Sequence, residues 1–316
     1  MDDQNKNLLL ATALSFAVIL VWFLLFPPPE PEAIETLPPA AQDGTALSDV
    51  ATAPAAAPGT TTEAATAATE TVETPRLPLE TARLEGSISL TGGRIDDLRL
   101  KDYRVSLDEG ADIVQMLDPV GTAAPYYALY GWAPGSGLTL DDVPTANTAW
   151  TVESGETLGT DSPVTLRWES PAGLTFRREV SIDENFMFTV TQSVENTGGA
   201  TVTLAPYGVL ARHGEPQDLK NFFILHEGVV AMADGELKET DYADMPDFDI
   251  VASEGARADV RQVTENGWIG FTDHYWMSTL IPEPGQSFRS IAKYDERRNI
   301  YQTDIVLPTV TRAGAA

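Results

Sequence analysis

The sequence predicts an all-β domain, a sandwich of antiparallel sheets over residues 76–312, carried behind one membrane-spanning helix and a disordered linker. Three observations predict it. From Arg76 onward, apolar residues alternate with polar ones between turn signals. Leu8–Phe26 is an apolar run without a charge. Residues 27–75 hold almost nothing that could form a core. Composition narrows the function further. The 316 residues carry 47 acidic against 20 basic side chains, a net charge of −27. Such a chain is a poor electrostatic partner for nucleic acid or anionic lipid, whose dense negative charge demands basic residues. With no cysteine, it has no disulfide, thiolate zinc site or cysteine nucleophile.

Residues 1–7 carry Lys6 and read as a short cytoplasmic N-terminus. In the adjoining run, 19 residues from Leu8 to Phe26, only Thr12 and Ser15 are polar. As a helix it would be roughly 28 Å long, close to the thickness of a bilayer's hydrocarbon core. Its backbone would satisfy its own hydrogen bonds, so it can span unaided. Leu8, Phe16, Trp22 and Phe26 are the expected anchor residues, making the lipid bilayer a partner, and Trp22 lies near the distal boundary where an indole sits well. A cleavable signal peptide would have a shorter apolar stretch, a basic start and a small-residue cleavage site. Here Asp2 and Asp3 precede the run and Pro27, Pro28 and Pro29 succeed it, which favours an uncleaved signal anchor. After Lys6 the next basic residue is Arg76, so the positive-inside rule keeps the N-terminus in the cytoplasm and exports the chain beyond Phe26.

Residues 27–75 are mostly Ala, Thr, Pro and Glu and contain no aromatic ring. Ile34, Leu37, Leu47, Val50 and Val72 are too few to offset the entropy of ordering the chain. The expectation is a flexible acidic tether with a root-mean-square span of about 40 Å, which holds a domain near the membrane without orienting it.

The domain comes next. Val164, Leu166 and Trp168 alternate with Thr165, Arg167 and Glu169 up to the turn at Pro171-Ala172-Gly173. Leu174, Phe176, Val180 and Ile182 then share one face, with Arg178 the exception. Phe186, Phe188, Val190 and Val194 repeat the pattern until Asn196-Thr197-Gly198-Gly199, after which Val202 and Leu204 resume it. Ile88-Ser89-Leu90 before Gly92-Gly93 reads as a hairpin. A sheet with one apolar face must bury it, so such strands predict sheets packed face to face. One stretch departs from period two. From Gly267 to Pro282, the rings of Trp268, Phe271, Tyr275 and Trp276 fall at helical spacing, which fits a short helix or a strand then a turn. These four are the candidate partner surface, although dense rings more commonly mark core packing.

Catalytic constellations are poor. His213, His226 and His274 match no metal-ligand spacing, and Asp241, Asp244, Asp247 and Asp249 lack EF-hand spacing and are interrupted by Pro246. Gly92-Gly93 opens no helical pattern that would cradle a phosphate. The residues predict no enzyme, metal or cofactor.

Five stretches carry a resemblance: residues 1–26 with their proline-rich exit, Ser87–Tyr103, Ile182–Val190, Pro206–Gly208 with Phe222–Gly228, and Gly267–Pro282. In order and spacing they resemble the first span and large periplasmic domain of YidC-type bacterial membrane protein insertases. The resemblance implies a β-supersandwich shaped like galactose mutarotases, in the periplasm of an inner-membrane protein. It also implies a chaperone function: inserting and folding inner-membrane proteins, alone or with the Sec translocon. Its expected partners are nascent inner-membrane proteins and Sec accessory subunits. There is no further apolar run of 18 residues after Phe26, so residues 313–316 read as leading toward a missing insertase domain of five more spans. The alternative is a membrane-tethered periplasmic carbohydrate-binding or mutarotase-like protein, which would need an acid and a base facing one pocket.

Overall fold

The computed structural model describes residues 74–216, 219, 225–273 and 275–315. The anchor residues Leu8, Phe16, Trp22 and Phe26, nearly all of the linker, and His274 lie outside the described residues. No helix among the described residues is long and apolar enough to cross a membrane.

The described chain is all-β, with nineteen strands and two short 3₁₀ turns. The first strands are β1 (Arg76–Glu80), β2 (Leu84–Ser89), β3 (Arg94–Arg104), β4 (Ile113–Leu117) and β5 (Tyr126–Pro134). A meander comes after them, β6 (Thr151–Ser154), β7 (Val164–Glu169), β8 (Leu174–Ile182) and β9 (Phe188–Asn196), and then the long β10 (Val202–His213). Next come β11 (Gly228–Ala233), β12 (Glu236–Asp241), β13 (Ile250–Val251), β14 (Ala256–Val263), β15 (Gly267–Thr272) and β16 (Met277–Leu280). The last are β17 (Phe288–Asp295), β18 (Ile300–Val306) and β19 (Val310–Arg312).

Three antiparallel sheets result. The largest runs β1-β2-β3-β5-β10-β18-β17-β14-β13, with β4 added on β3 and β19 on β10. The other two are four-stranded, β6-β7-β8-β9 and β12-β11-β15-β16. One core joins all three: Leu98, Ala128 and Leu210 of the large sheet, Leu166 and Phe176 of the meander, and Phe271 and Leu280 of the third sheet belong to a single buried cluster. Burying a side chain such as Phe176 stabilises the fold by roughly 1.5–3 kcal/mol. A second cluster, including Tyr127, Leu129, Tyr207, Val209 and Ile291, occupies the other face of the large sheet.

The meander obeys the alternation in the sequence. Leu174, Phe176, Val180 and Ile182 point inward, and β8 pairs with β9 from Leu174↔Asn196 to Ile182↔Phe188. The hairpin at Gly92-Gly93 joins β2 to β3, with both glycines at positive φ (75° and 62°). A Cβ on Gly93 would lie 2.4 Å from Nη1 of Arg178, so the turn also leaves room for a side chain from another sheet.

Arg178, the polar exception on that apolar face, points inward with its neighbours and is buried. Its Nη1 donates to the carbonyls of Gly93 at 2.8 Å and Gly92 at 3.3 Å, and its Nη2 donates to that of Tyr130. Its guanidinium lies over the Trp150 ring, 4.6 Å from the centroid. Carbonyl oxygens, not a carboxylate, compensate the charge, and burial pulls the guanidinium down to about 10. Phe186, in turn, belongs to the β8–β9 connection and not to a strand, with φ at 68°. The Asp183 carboxylate accepts the backbone N–H groups of Asn185 at 2.7 Å and Met187 at 2.9 Å, bending the chain before alternation resumes at Phe188.

Candidate functional site: an apolar cleft between sheet edges

The described residues form a cleft of about 430 Å³. Its floor is the large sheet, including Leu98 and Leu100 of β3, Ala128 and Tyr130 of β5 and Leu210 of β10. Phe186, Met187 and Phe188, leading into β9, line it from the meander, and Met277 to Ile281 line it from the third sheet. The cleft therefore lies where the two smaller sheets, both packed on the large one, leave a gap. Alternation places its floor residues inward, while the rim comes from turns and strand ends: Met187, Met277 and Ile281 are 52, 47 and 54% exposed. Tyr103 and Trp276 meet edge to face at the mouth, ring centroids 4.7 Å apart.

No charged side chain lines the cleft among the described residues. Tyr130 is half-buried, and desolvation of its phenol pushes it up to about 12, so it is neutral at physiological pH. Ser278 and Thr279 are the aliphatic hydroxyls in the lining, and neither has a histidine or carboxylate beside it in the cleft. The arrangement supplies no acid–base pair, no activated nucleophile and no metal-ligand set among the described residues. What it supplies is apolar surface with an adaptable edge. Three of the chain's six methionines, Met116, Met187 and Met277, line it. Unbranched thioether side chains repack around ligands of varied shape.

The four aromatic residues singled out in the sequence are separated. Gly267–Thr272 is strand β15, the next residues turn, and β16 returns, paired from Ile269↔Leu280 to Thr272↔Met277. Of the two local structures that fit the spacing, the strand-then-turn is the one adopted. A helix is opposed by the strand pairing around Gly270, where a Cβ would lie 1.9 Å from the Ser278 carbonyl oxygen. Trp268 is half-buried, whereas Phe271 is in the core, stacked on Tyr242 with centroids 5.5 Å apart. Tyr275 is 77% exposed, and Trp276 alone of the four lines the cleft. Tyr103, Met116, Met187 and Met277 carry no signal of their own in the sequence.

The two described histidines lie elsewhere. His213 faces the Tyr127 hydroxyl at 3.5 Å, and burial lowers its pKa. His226 places Nδ1 2.9 Å from Asp241 and Nε2 2.8 Å from the Val229 carbonyl, outside the cleft. Asp244 and Asp247 are exposed on a 3₁₀ turn whose Tyr242 and Met245 are buried, and among the described residues no group of three or more His, Asp or Glu side chains could hold a metal ion. No described histidine or carboxylate lines this cleft, so it does not present the acid and base that a mutarotase-like enzyme would require.

Comparison with known proteins decides the family. The model of the YidC periplasmic domain matches residues 76–315. The chain belongs to the YidC periplasmic domain family. It is 66% identical to the membrane protein insertase YidC of Ruegeria sp. strain TM1040 over 319 residues, covering 99% of this chain and 52% of that protein. It is 59% identical to its counterpart in Dinoroseobacter shibae and 58% identical to that in Ruegeria pomeroyi, again over 99% of this chain and 52% of each relative. The chain thus spans about half the length of the curated relatives it matches, and the YidC periplasmic domain accounts for all nineteen of the described strands.

Proposed function

We propose that this chain is the membrane-anchored periplasmic portion of an insertase that inserts and folds inner-membrane proteins, alone or with the Sec translocon. In this reading Leu8–Phe26 is an uncleaved span with its N-terminus in the cytoplasm, residues 27–75 are the tether, and the β domain of supersandwich form stands in the periplasm. The observation that carries the reading is an uncharged, methionine-edged cleft of about 430 Å³ in a domain of the YidC periplasmic family.

Insertion needs no covalent chemistry. A client helix already prefers lipid, and the barrier is the passage of its polar flanks across the hydrocarbon. A domain outside the bilayer cannot lower that barrier. It can hold apolar client segments once they emerge and keep them from aggregating, and that is the role assigned to the cleft. Trp268 and Tyr275, outside the cleft, remain as surface for Sec accessory subunits.

The test is contact. In the parent insertase, a single cysteine at Met277 is oxidised against a cysteine scanned through an arrested inner-membrane client; Leu237, 52% exposed on β12, serves as a control position. The reading expects adducts through Met277→Cys and few through Leu237→Cys. Equal or absent adducts at the two positions would remove the cleft from the account.

A further inference from the structure

The cleft is bordered by two strand ends of a particular kind. Among the described residues β16 pairs with β15 alone, and β9 with β8 alone, so each closes its sheet as an edge strand. Both smaller sheets share one core with the large sheet, and the cleft between them has an apolar floor. An edge strand presents backbone N–H and C=O groups that another chain can pair with. β16 lines the gap along its whole length, Met277 to Leu280, whereas β9 reaches it only at Phe188 and has its Val194 carbonyl bonded by Arg312 Nε at 3.3 Å, so the hydrogen-bonding edge offered to the gap is that of β16.

We propose that the cleft binds client polypeptide as an added β-strand, an extended segment with large apolar residues at alternate positions and neutral or basic flanks. The inference rests on the reading of the cleft as a client site and names the form in which the client is held. Backbone pairing along β16 would supply sequence-tolerant affinity, and alternate side chains would descend onto the floor around Ala128 and Leu210. Charge selects the occupant. Exposed Asp183 and Glu184 lie just before one lining segment and exposed Glu283 just after the other, while the cation nearest that lining, Arg83 over the Phe186 ring at 4.0 Å, is already paired with Asp102 at 2.8 Å. These carboxylates, on a chain of net charge −27, oppose a fatty acid or anionic phospholipid headgroup and favour a segment bearing lysine or arginine. An acyl chain would also leave the strand edges without hydrogen-bond partners.

The experiment uses the full chain in zwitterionic nanodiscs and a fluorescent peptide of alternating leucine and threonine with lysine at both ends. A second peptide carries N-methyl groups on alternate backbone nitrogens, and a third has glutamate in place of lysine. Strand addition predicts that N-methylation weakens binding about tenfold or more, because pairing N–H groups are lost. It also predicts that the glutamate peptide binds several-fold more weakly, with that difference shrinking in high salt. In the cysteine-free chain, Met277→Cys should cross-link to single-cysteine versions of the first peptide with a period of two residues. Equal binding of the N-methylated peptide, or cross-linking without periodicity, would overturn strand addition while leaving the cleft as a client site. Failure of every peptide to bind would overturn both.

Discussion

Arg178→Ala removes a guanidinium that sits inside the protein with no carboxylate beside it. Its donors reach the Gly92, Gly93 and Tyr130 carbonyls, tying the β2–β3 hairpin and β5 to β8 across the interface between the large sheet and the meander. Truncation leaves three acceptors in a buried site, at about 1–3 kcal/mol for each that water does not reach. Removal of a buried charge offsets part of that loss, since burying a guanidinium costs free energy in itself. The net expectation is about 3–5 kcal/mol of destabilisation, or a fall in Tm of roughly 6–20 °C for a domain of this size. Urea unfolding tracked by tryptophan fluorescence and calorimetry both measure it, and Arg178→Met separates loss of the head group from loss of the stem. Gly93→Ala supplies the second arm of a cycle. Its Cβ would meet Nη1 at 2.4 Å and its φ is +62°, so it destabilises alone, but part of the penalty disappears once Arg178 is gone. A loss below about 1 kcal/mol for Arg178→Ala, or strictly additive variants, would show that the guanidinium does not hold the sheets together.

Other variants and pH series probe the same structure. Gly270→Ala drives a Cβ toward the Ser278 carbonyl, so it should unpair β16 and abolish peptide binding in the cleft even where the remaining domain still unfolds cooperatively; hydrogen exchange at Met277–Leu280 reports it. Ala128→Leu fills the floor and should weaken peptide binding with a modest effect on stability, read by fluorescence titration and thermal melts. Burial raises the Asp304 carboxyl, despite Lys293 at 2.7 Å, so its contribution to stability is present below the ordinary carboxylate range and lost as pH rises through the raised value. Asp304→Asn should remove that fall from a pH series of urea midpoints, while lowering stability at neutral pH because Lys293 loses its partner. Asp234 behaves in the opposite sense. It accepts backbone N–H groups from Thr264, Glu265 and Asn266, which hold its carboxyl well below the usual range, so its contribution is lost as pH falls below about 4 and Asp234→Ala should flatten that acid limb.

The β architecture is legible in the sequence because alternation is a local property. A sheet with one buried face writes period two into every strand, as Leu174 to Ile182 illustrate. Arg178 breaks the apolar rule without breaking the geometry, because the groups that compensate it, at positions 92, 93 and 130, are distant in sequence and carry no side-chain signature. Hydrophobicity alone puts Phe186 in a strand, yet a local hydrogen bond from its own backbone segment to Asp183 decides its conformation. Helical spacing in the ring-rich segment points to the right residue by the wrong period. Trp276 does line the cleft, but it meets Tyr103 from a strand more than 170 residues earlier, a contact that no spacing announces. Stretches in family order point to the family, whereas the cleft exists only when three sheets are packed together.

Occupancy of the cleft on the outer side of the membrane is tested most directly by thiol labelling in living cells. Met187 sits 52% exposed at the cleft rim and the chain has no cysteine, so Met187→Cys in the proposed insertase, any cysteine outside this chain replaced, reports that position alone. A membrane-impermeant maleimide should modify it in intact cells, and an arrested inner-membrane client should slow the modification. Labelling that appears only after the cells are broken, or that proceeds at the same rate with the client present, would contradict the account.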